Sequence, residues 1–250
     1  MGVQFNPNFP PHFYSGNPFD RKLIFILKNP LESNNQFMND YIQAFHTIPD
    51  FSSFVQQQND DLLNFNPINN APFYQNCDVF TEHFIDILHQ NDEQLAQYFE
   101  FHALNQNMVH NPPTPLLSAA RHSCIIDLFP FFSNQFTLKI NKQTVDPTLR
   151  YFMRILHFLN TNCSNNGPCI IVNGNSFLND SILSNFDVEG YFMREILSEK
   201  LNFSSTSGTI YKFDTGNTNL KFFSVSNWGG QGLSHNDTRQ YADWVFNHLN

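Results

Sequence analysis

Residues 23–51 read LIFILKNPLESNNQFMNDYIQAFHTIPDF. Five apolar residues, Leu23–Leu27, stop at Asn29-Pro30-Leu31. Phe37, Tyr41, Ile42 and Phe45 then recur at helical spacing before Ile48-Pro49-Asp50-Phe51. The first run predicts a strand over 22–27 and the second a helix over 34–47. Two assignments compete for this stretch. It either closes a unit of its own or is an ordinary buried strand and turn, and the architecture of the rest follows from the choice.

The whole chain has 250 residues, enough for one or two domains with a real core. Phe supplies 29 positions, so the core is expected to be built from large rings. The net charge is −9, with only 13 Lys plus Arg scattered along the chain. Direct gripping of phosphates needs a basic stripe, so tight nucleic-acid binding is not expected. No basic start leads into an apolar segment, so no secretory leader is expected. The apolar runs are too short to span a bilayer. Cys77, Cys124, Cys163 and Cys169 show no zinc spacing and are expected to be reduced thiols. His83 and His89 are six apart, which suits no helical metal pair. No metal and no cofactor are therefore expected.

Further along, 1–21 is a proline-rich lead-in and 56–76 a polar, turn-rich linker. Val79, Phe80, Phe84, Ile87 and Leu88 form one helical stripe, with Asp78 as the candidate cap. HQND (89–92) breaks it, and Leu95, Tyr98, Phe99 and Phe101 begin a second helix. Pro112, Pro113 and Pro115 mark a loop. Asp146-Pro147 opens a third helix with Leu149, Phe152, Ile155, Leu156 and Leu159 on its apolar face. Four β-rich segments follow: 169–177, 182–197, 208–214 and 219–227. Asp214-Thr215-Gly216-Asn217 is the hairpin connection between the last two. The expected class is α+β, with helices on one face of a curved, mostly antiparallel sheet spanning 77–232. Residues 233–250 predict a final amphipathic helix, with Ser234 and Asp237 as a capping box. Tyr241, Trp244, Val245 and Leu249 form its apolar face.

Ile24-x-Ile26-x-x-Asn29-x-Leu31 fits the core pattern of a leucine-rich repeat. The NPL, Tyr41, Ile48-Pro49, Phe51 and Phe54 that follow resemble the closing cap of the repeat domain in the nuclear RNA export factor family (the TAP and Mex proteins). Later segments resemble, in the same order, that family's nuclear transport factor 2-like domain: HFIDILHQNDEQLAQYF, DPTLRYFMRILHFLNT, ILSNFDVEGYF and GTIYKFDTGNTNLKFFSVSN. The resemblance covers 23–228. It implies a degenerate repeat cap over 22–55 followed by a nuclear transport factor 2-like cone. The resemblance does not extend to the family's RNA-recognition domain or its C-terminal ubiquitin-associated-like domain, and neither is expected within these residues.

The resemblance further implies a non-enzymatic mRNA export adaptor that shuttles between nucleus and cytoplasm through the nuclear pore. It would form a heterodimer with a small nuclear transport factor 2-like partner. Phe186, Val188, Tyr191, Tyr211, Phe213, Phe222 and Phe223 exceed what one core-facing side of a sheet needs. Strand alternation sends about half of them to the other face, which is the expected interface. Lys139 would meet the partner. Phe80 and Phe84 would line a pocket for Phe-Gly repeats of nucleoporins. Asp214, standing where the family carries Pro, and Glu82 oppose that pocket, because a carboxylate among apolar groups is costly. RNA would be contacted indirectly, and no membrane is involved. The alternatives are a truncated dimerising scaffold, or a small-molecule isomerase or dehydratase using the cone cavity. For the enzyme, the candidate bases are His83, Asp86, His102 and Asp187.

Overall fold

The structure is a computed structural model. It describes residues 14–15, 22–27, 72–101, 123–127, 154, 159, 169–173, 185–188, 191–204, 207–216, 219–225, 228 and 233–250. Along the described residues the first elements are β1 (Tyr14–Ser15), β2 (Leu23–Leu27), α1 (Pro72–Asn91) and α2 (Glu93–Phe101). Next come β3 (Ser123–Asp127), β4 (Cys169–Asn173), β5 (Asn185–Val188), β6 (Tyr191–Asn202), β7 (Ser207–Asp214), β8 (Leu220–Val225) and α3 (His235–Asn247). The class is α+β. All eight strands join one sheet in the order β1-β3-β2-β4-β8-β7-β6-β5.

The sheet has two halves that meet at β8. Strands β3, β2, β4 and β8 are mutually parallel. Strands β8, β7, β6 and β5 form an antiparallel meander, and β1 pairs antiparallel with β3. The mostly antiparallel sheet expected over 77–232 is thus corrected to a mixed one that also includes β2.

The same strand corrects the boundary between a repeat remnant at 22–55 and a separate domain after 76. In a solenoid repeat, alternate strand residues face the core and the others face out. Here Leu23, Ile24, Phe25 and Ile26 are all at most 1% exposed. Burial on both faces is the signature of an inner parallel strand, which reads as an unbroken apolar run. Leu23–Leu27 pairs with β3 on one side and β4 on the other. It is the middle of the parallel half and part of the same unit as the later strands.

Leu23, Phe25, Ile170, Val172, Ile210, Phe223 and Val225 pack with Phe80, Phe84 and Leu88 of α1, Phe99 of α2, and Tyr241 and Val245 of α3 in one cluster. Ile24, Ile26, Ile171 and Phe222 are also buried but lie outside that cluster, because alternation puts them on the other face. Leu159, helical and buried, is likewise outside it. The parallel half is therefore buried on two faces, not one.

Helix α1 starts at Pro72, six residues before the candidate cap Asp78, so the expected linker 56–76 ends too late. Proline at a first helical position gives up only an N–H that is unsatisfied there anyway. Asp78 is buried inside the helix. The break at 89–92 is as expected: Asp92 Oδ1 accepts from Leu95 N at 3.0 Å and caps α2. Asp214 Oδ1 accepts from Gly216 N at 2.9 Å in the β7–β8 turn, where Gly216 has φ 75°, a region that favours glycine. The segment expected as one strand over 182–197 is divided into β5 and β6, while β3 was not foreseen.

Helix α3 is fastened by buried polar groups. Asp237, fully buried, accepts from Ser204 N (2.6 Å), Ser204 Oγ (2.9 Å), Ser234 N (3.0 Å) and Ser234 Oγ (2.7 Å). This is the expected capping box, extended to the end of β6. Asn76 of α1 donates to the carbonyls of Trp228 (2.8 Å) and Leu233 (3.4 Å), and its Oδ1 accepts from Thr238 Oγ1 (3.1 Å). Trp244 Nε1 donates to Glu199 Oε2 at 2.7 Å, so this tryptophan docks on its own domain.

Asn76→Ala is expected to cost about 1–3 kcal/mol, because it leaves buried carbonyls without their donor. Urea unfolding followed by tryptophan fluorescence measures this. A loss below about 0.5 kcal/mol, the range of ordinary surface substitutions, would contradict the clamp.

Candidate functional site

Five of the residues expected to meet a partner or a pore protein, Phe80, Phe84, Phe213, Phe222 and Phe223, sit in the core. Phe80 and Phe84 are fully buried, stacked on each other at 5.7 Å, with Phe80 also against Phe25 and Tyr241. They line no Phe-Gly pocket, because α3 and Trp228 already cover them. Phe223 is on the helix-covered face against Trp244. Phe213 and Phe222 do fall on the other face, as alternation requires, but both are buried and pack edge to face at 5.6 Å. The expected exposure of Phe213, Phe222 and Phe223 is thereby corrected. Tyr211 is half-buried, stacked on Phe213 at 6.1 Å.

Phe186 and Val188 lie on β5, at the edge of the sheet, paired with Met193 and Tyr191. Asp187 pairs there with Phe192. Asp214 holds its turn, and Glu82 is exposed on α1, so neither intrudes on an apolar pocket. His83 reaches out to Asp243 at 3.0 Å, and Asp86 is exposed. The His83 and Asp86 pair is on the outside of α1 and forms no desolvated acid–base site. Lys139 and His102 lie outside the described residues. Cys77 is fully buried, and burial pushes its thiol well above its ordinary range. The Tyr241 hydroxyl is shifted up for the same reason. Among the described residues no group of three potential metal ligands assembles, and no helix is long and apolar enough to cross a membrane.

The parallel half supplies a different location. Its strands all point the same way and end at Leu27, Asp127, Asn173 and Val225. The register places Leu27 beside Asp127, Ile26 beside Asn173, and Asn173 beside Ser224. Three polar residues, Asp127, Asn173 and Ser224, thus come within two rows at the carboxyl ends of the parallel strands. Asp127 and Asn173 are two strands apart, about 10 Å at typical strand spacing. That is the span of a small organic molecule.

The winding matters as much as the residues. The chain passes from β2 to β3 on one side, then returns to β4 on the other side of β2. In open parallel sheets, ligands collect at the carboxyl ends of the strands where the winding reverses. None of these three residues was singled out from sequence. The available signal was a short apolar run ending in one polar residue, SCIID and CIIVN, repeated at two parallel strands.

An anion site is disfavoured at the neighbouring helix start. Residues 229–232 read GGQG after β8 and lead to α3. A helix N-terminus attracts phosphate through free N–H groups and its dipole. Here the Asp237 carboxylate and Ser234 already occupy that end.

No family model, no curated protein and no solved structure matches this chain.

Phe80→Ala is expected to destabilise the fold by about 3–5 kcal/mol, as a buried ring does. Glu82→Ala and Asp86→Ala should stay within about 0.5 kcal/mol of the parent. Denaturant melts compare them. An unchanged midpoint for Phe80→Ala would restore a surface role for that ring.

Proposed function

We propose that this chain binds a small, polar, unphosphorylated organic molecule in the crevice between the carboxyl ends of β2 and β4. The observation that carries this reading is the reversal of winding at β2, with Asp127 and Asn173 at the flanking strand ends. An amide offers both a donor and acceptors, and a carboxylate accepts hydrogen bonds or takes a proton. Two features favour an uncharged or cationic ligand over a phosphate. The chain carries a net charge of −9, and the start of α3 is closed by Asp237.

Ligand-observed NMR with adenosine, AMP, glucose, glucose 6-phosphate, benzamide and lysine tests this. Binding is expected among the unphosphorylated compounds, reduced about tenfold by Asn173→Ala, on the scale of one lost hydrogen bond. Binding confined to the phosphorylated compounds, or untouched by both Asn173→Ala and Asp127→Ala, would reject the crevice.

A second reading keeps the nuclear transport factor 2-like adaptor. It is favoured by the half-buried Tyr211 on the face opposite α1 and α3. The meander β5–β8 would then be the part that pairs with a small partner of the same kind, and Phe-Gly repeats and the pore would be reached through the pair. It ranks second because Phe213, Phe222, Phe80 and Phe84 are already buried within the chain. Co-expression with such a partner and sizing would favour it if a heterodimer forms and Tyr211→Glu abolishes it.

A further inference from the structure

Among the described residues, the meander leaves part of one strand open. β5 pairs with β6 only from Tyr191 to Arg194. A bulge follows between Glu195 and Leu197, and the strand then continues from Leu197 to Asn202 paired with β7 on its inner side. A bulge bends its strand and interrupts the ladder, which accounts for β5 stopping there. Among the described residues nothing pairs with the outer side of Leu197–Asn202. Ser198, Glu199, Lys200 and Asn202 are exposed, and the bulged Ile196 is 51% exposed. A row of unpaired backbone groups is a template for another strand.

The side chains decide which strand fits. Leu197 and Leu201 pack against the core on the α3 side, and Glu199 bonds Trp244 on that side. Alternation puts Ser198, Lys200 and Asn202 on the other face. A second copy joining edge to edge, antiparallel, must keep each face continuous. Of the best-overlapped registers, one then sets Glu199 against Glu199 and the other sets Lys200 against Lys200. Like charges directly opposite are destabilising, so the edge is guarded against itself.

A different strand meets no such conflict. We infer that Leu197–Asn202 takes an extended segment of a partner protein by antiparallel strand addition. The segment carries an acidic residue opposite Lys200 and apolar residues opposite Leu197 and Leu201. The acid pairs with the exposed ammonium, while the apolar residues extend the surface that Leu197 and Leu201 already share with α3.

The test uses the full chain and the peptide acetyl-TVDTTV-amide, which has this pattern. Its controls are the same peptide with Lys for Asp, and the parent peptide N-methylated along its backbone. Amide hydrogen exchange of residues 197–202 is followed with peptide in excess. The Asp peptide is expected to slow the outward-pointing amides, every second one in the run, about tenfold or more, as pairing of an open edge does. The Lys peptide should bind about two- to fivefold more weakly, and Lys200→Glu should invert that order. The N-methylated peptide should give no protection. Absence of protection by any peptide, or the same order in Lys200→Glu, would overturn the inference. So would a concentration-dependent dimer that protects the same amides, since the occupant would then be a second copy.

Discussion

The structure depends on one strand being paired on both sides and buried on both faces. Leu23–Leu27 lies between β3 and β4, and each of its first four residues is removed from water. Two strands that it joins come from about 100 and about 145 residues later, so the pairing closes very long loops. Loop closure grows only slowly more costly with length. What offsets it is apolar burial, on the order of 1.5–3 kcal/mol for each fully buried large side chain. A charged residue anywhere in this run would lose burial on one face and break the order of the strands on both sides.

The meander and the C-terminal helix are held by a different kind of contact. Trp228 and Tyr241 bring the chain after β8 and helix α3 against Phe25 and Phe80. Asn76 then satisfies the carbonyls of Trp228 and Leu233, and Asp237 the N–H groups of Ser204 and Ser234. The consequence is that Phe80 and Phe84, plausible pocket residues by position, are committed to the core.

Several elements were legible from residues alone. The stripe Phe80, Phe84, Leu88 marks α1, Asp92 marks its break from α2, and Ser234 with Asp237 marks the start of α3. The β7–β8 hairpin is signalled by Asp214 and Gly216. Each of these is a local rule, set by residues a few positions apart. The sheet order was not legible, because it is set by contacts between segments 50–150 residues apart. LIFIL was compatible with a repeat strand and with an inner parallel strand. Only burial of Ile24 and Ile26 together with Leu23 and Phe25 separates the two. Alternation correctly divided Phe213 and Phe222 from Phe223, but could not say whether the second face was open. The polar strand ends Asp127 and Asn173 gain meaning only once the parallel order is known.

The functional reading rests on that order, since a crevice at β2 exists only if β2 is an inner strand of the same cooperative unit as β4 and β8. Residue-resolved amide hydrogen exchange under native conditions tests this most directly. The amides of Ile24, Phe25 and Ile26 should exchange only through global unfolding, with the same free energy as those of Ile170–Val172 and Phe222–Phe223. If residues 24–26 exchange freely, or with a separate and lower free energy while β4 and β8 stay protected, the strand belongs to an independent unit and the account fails.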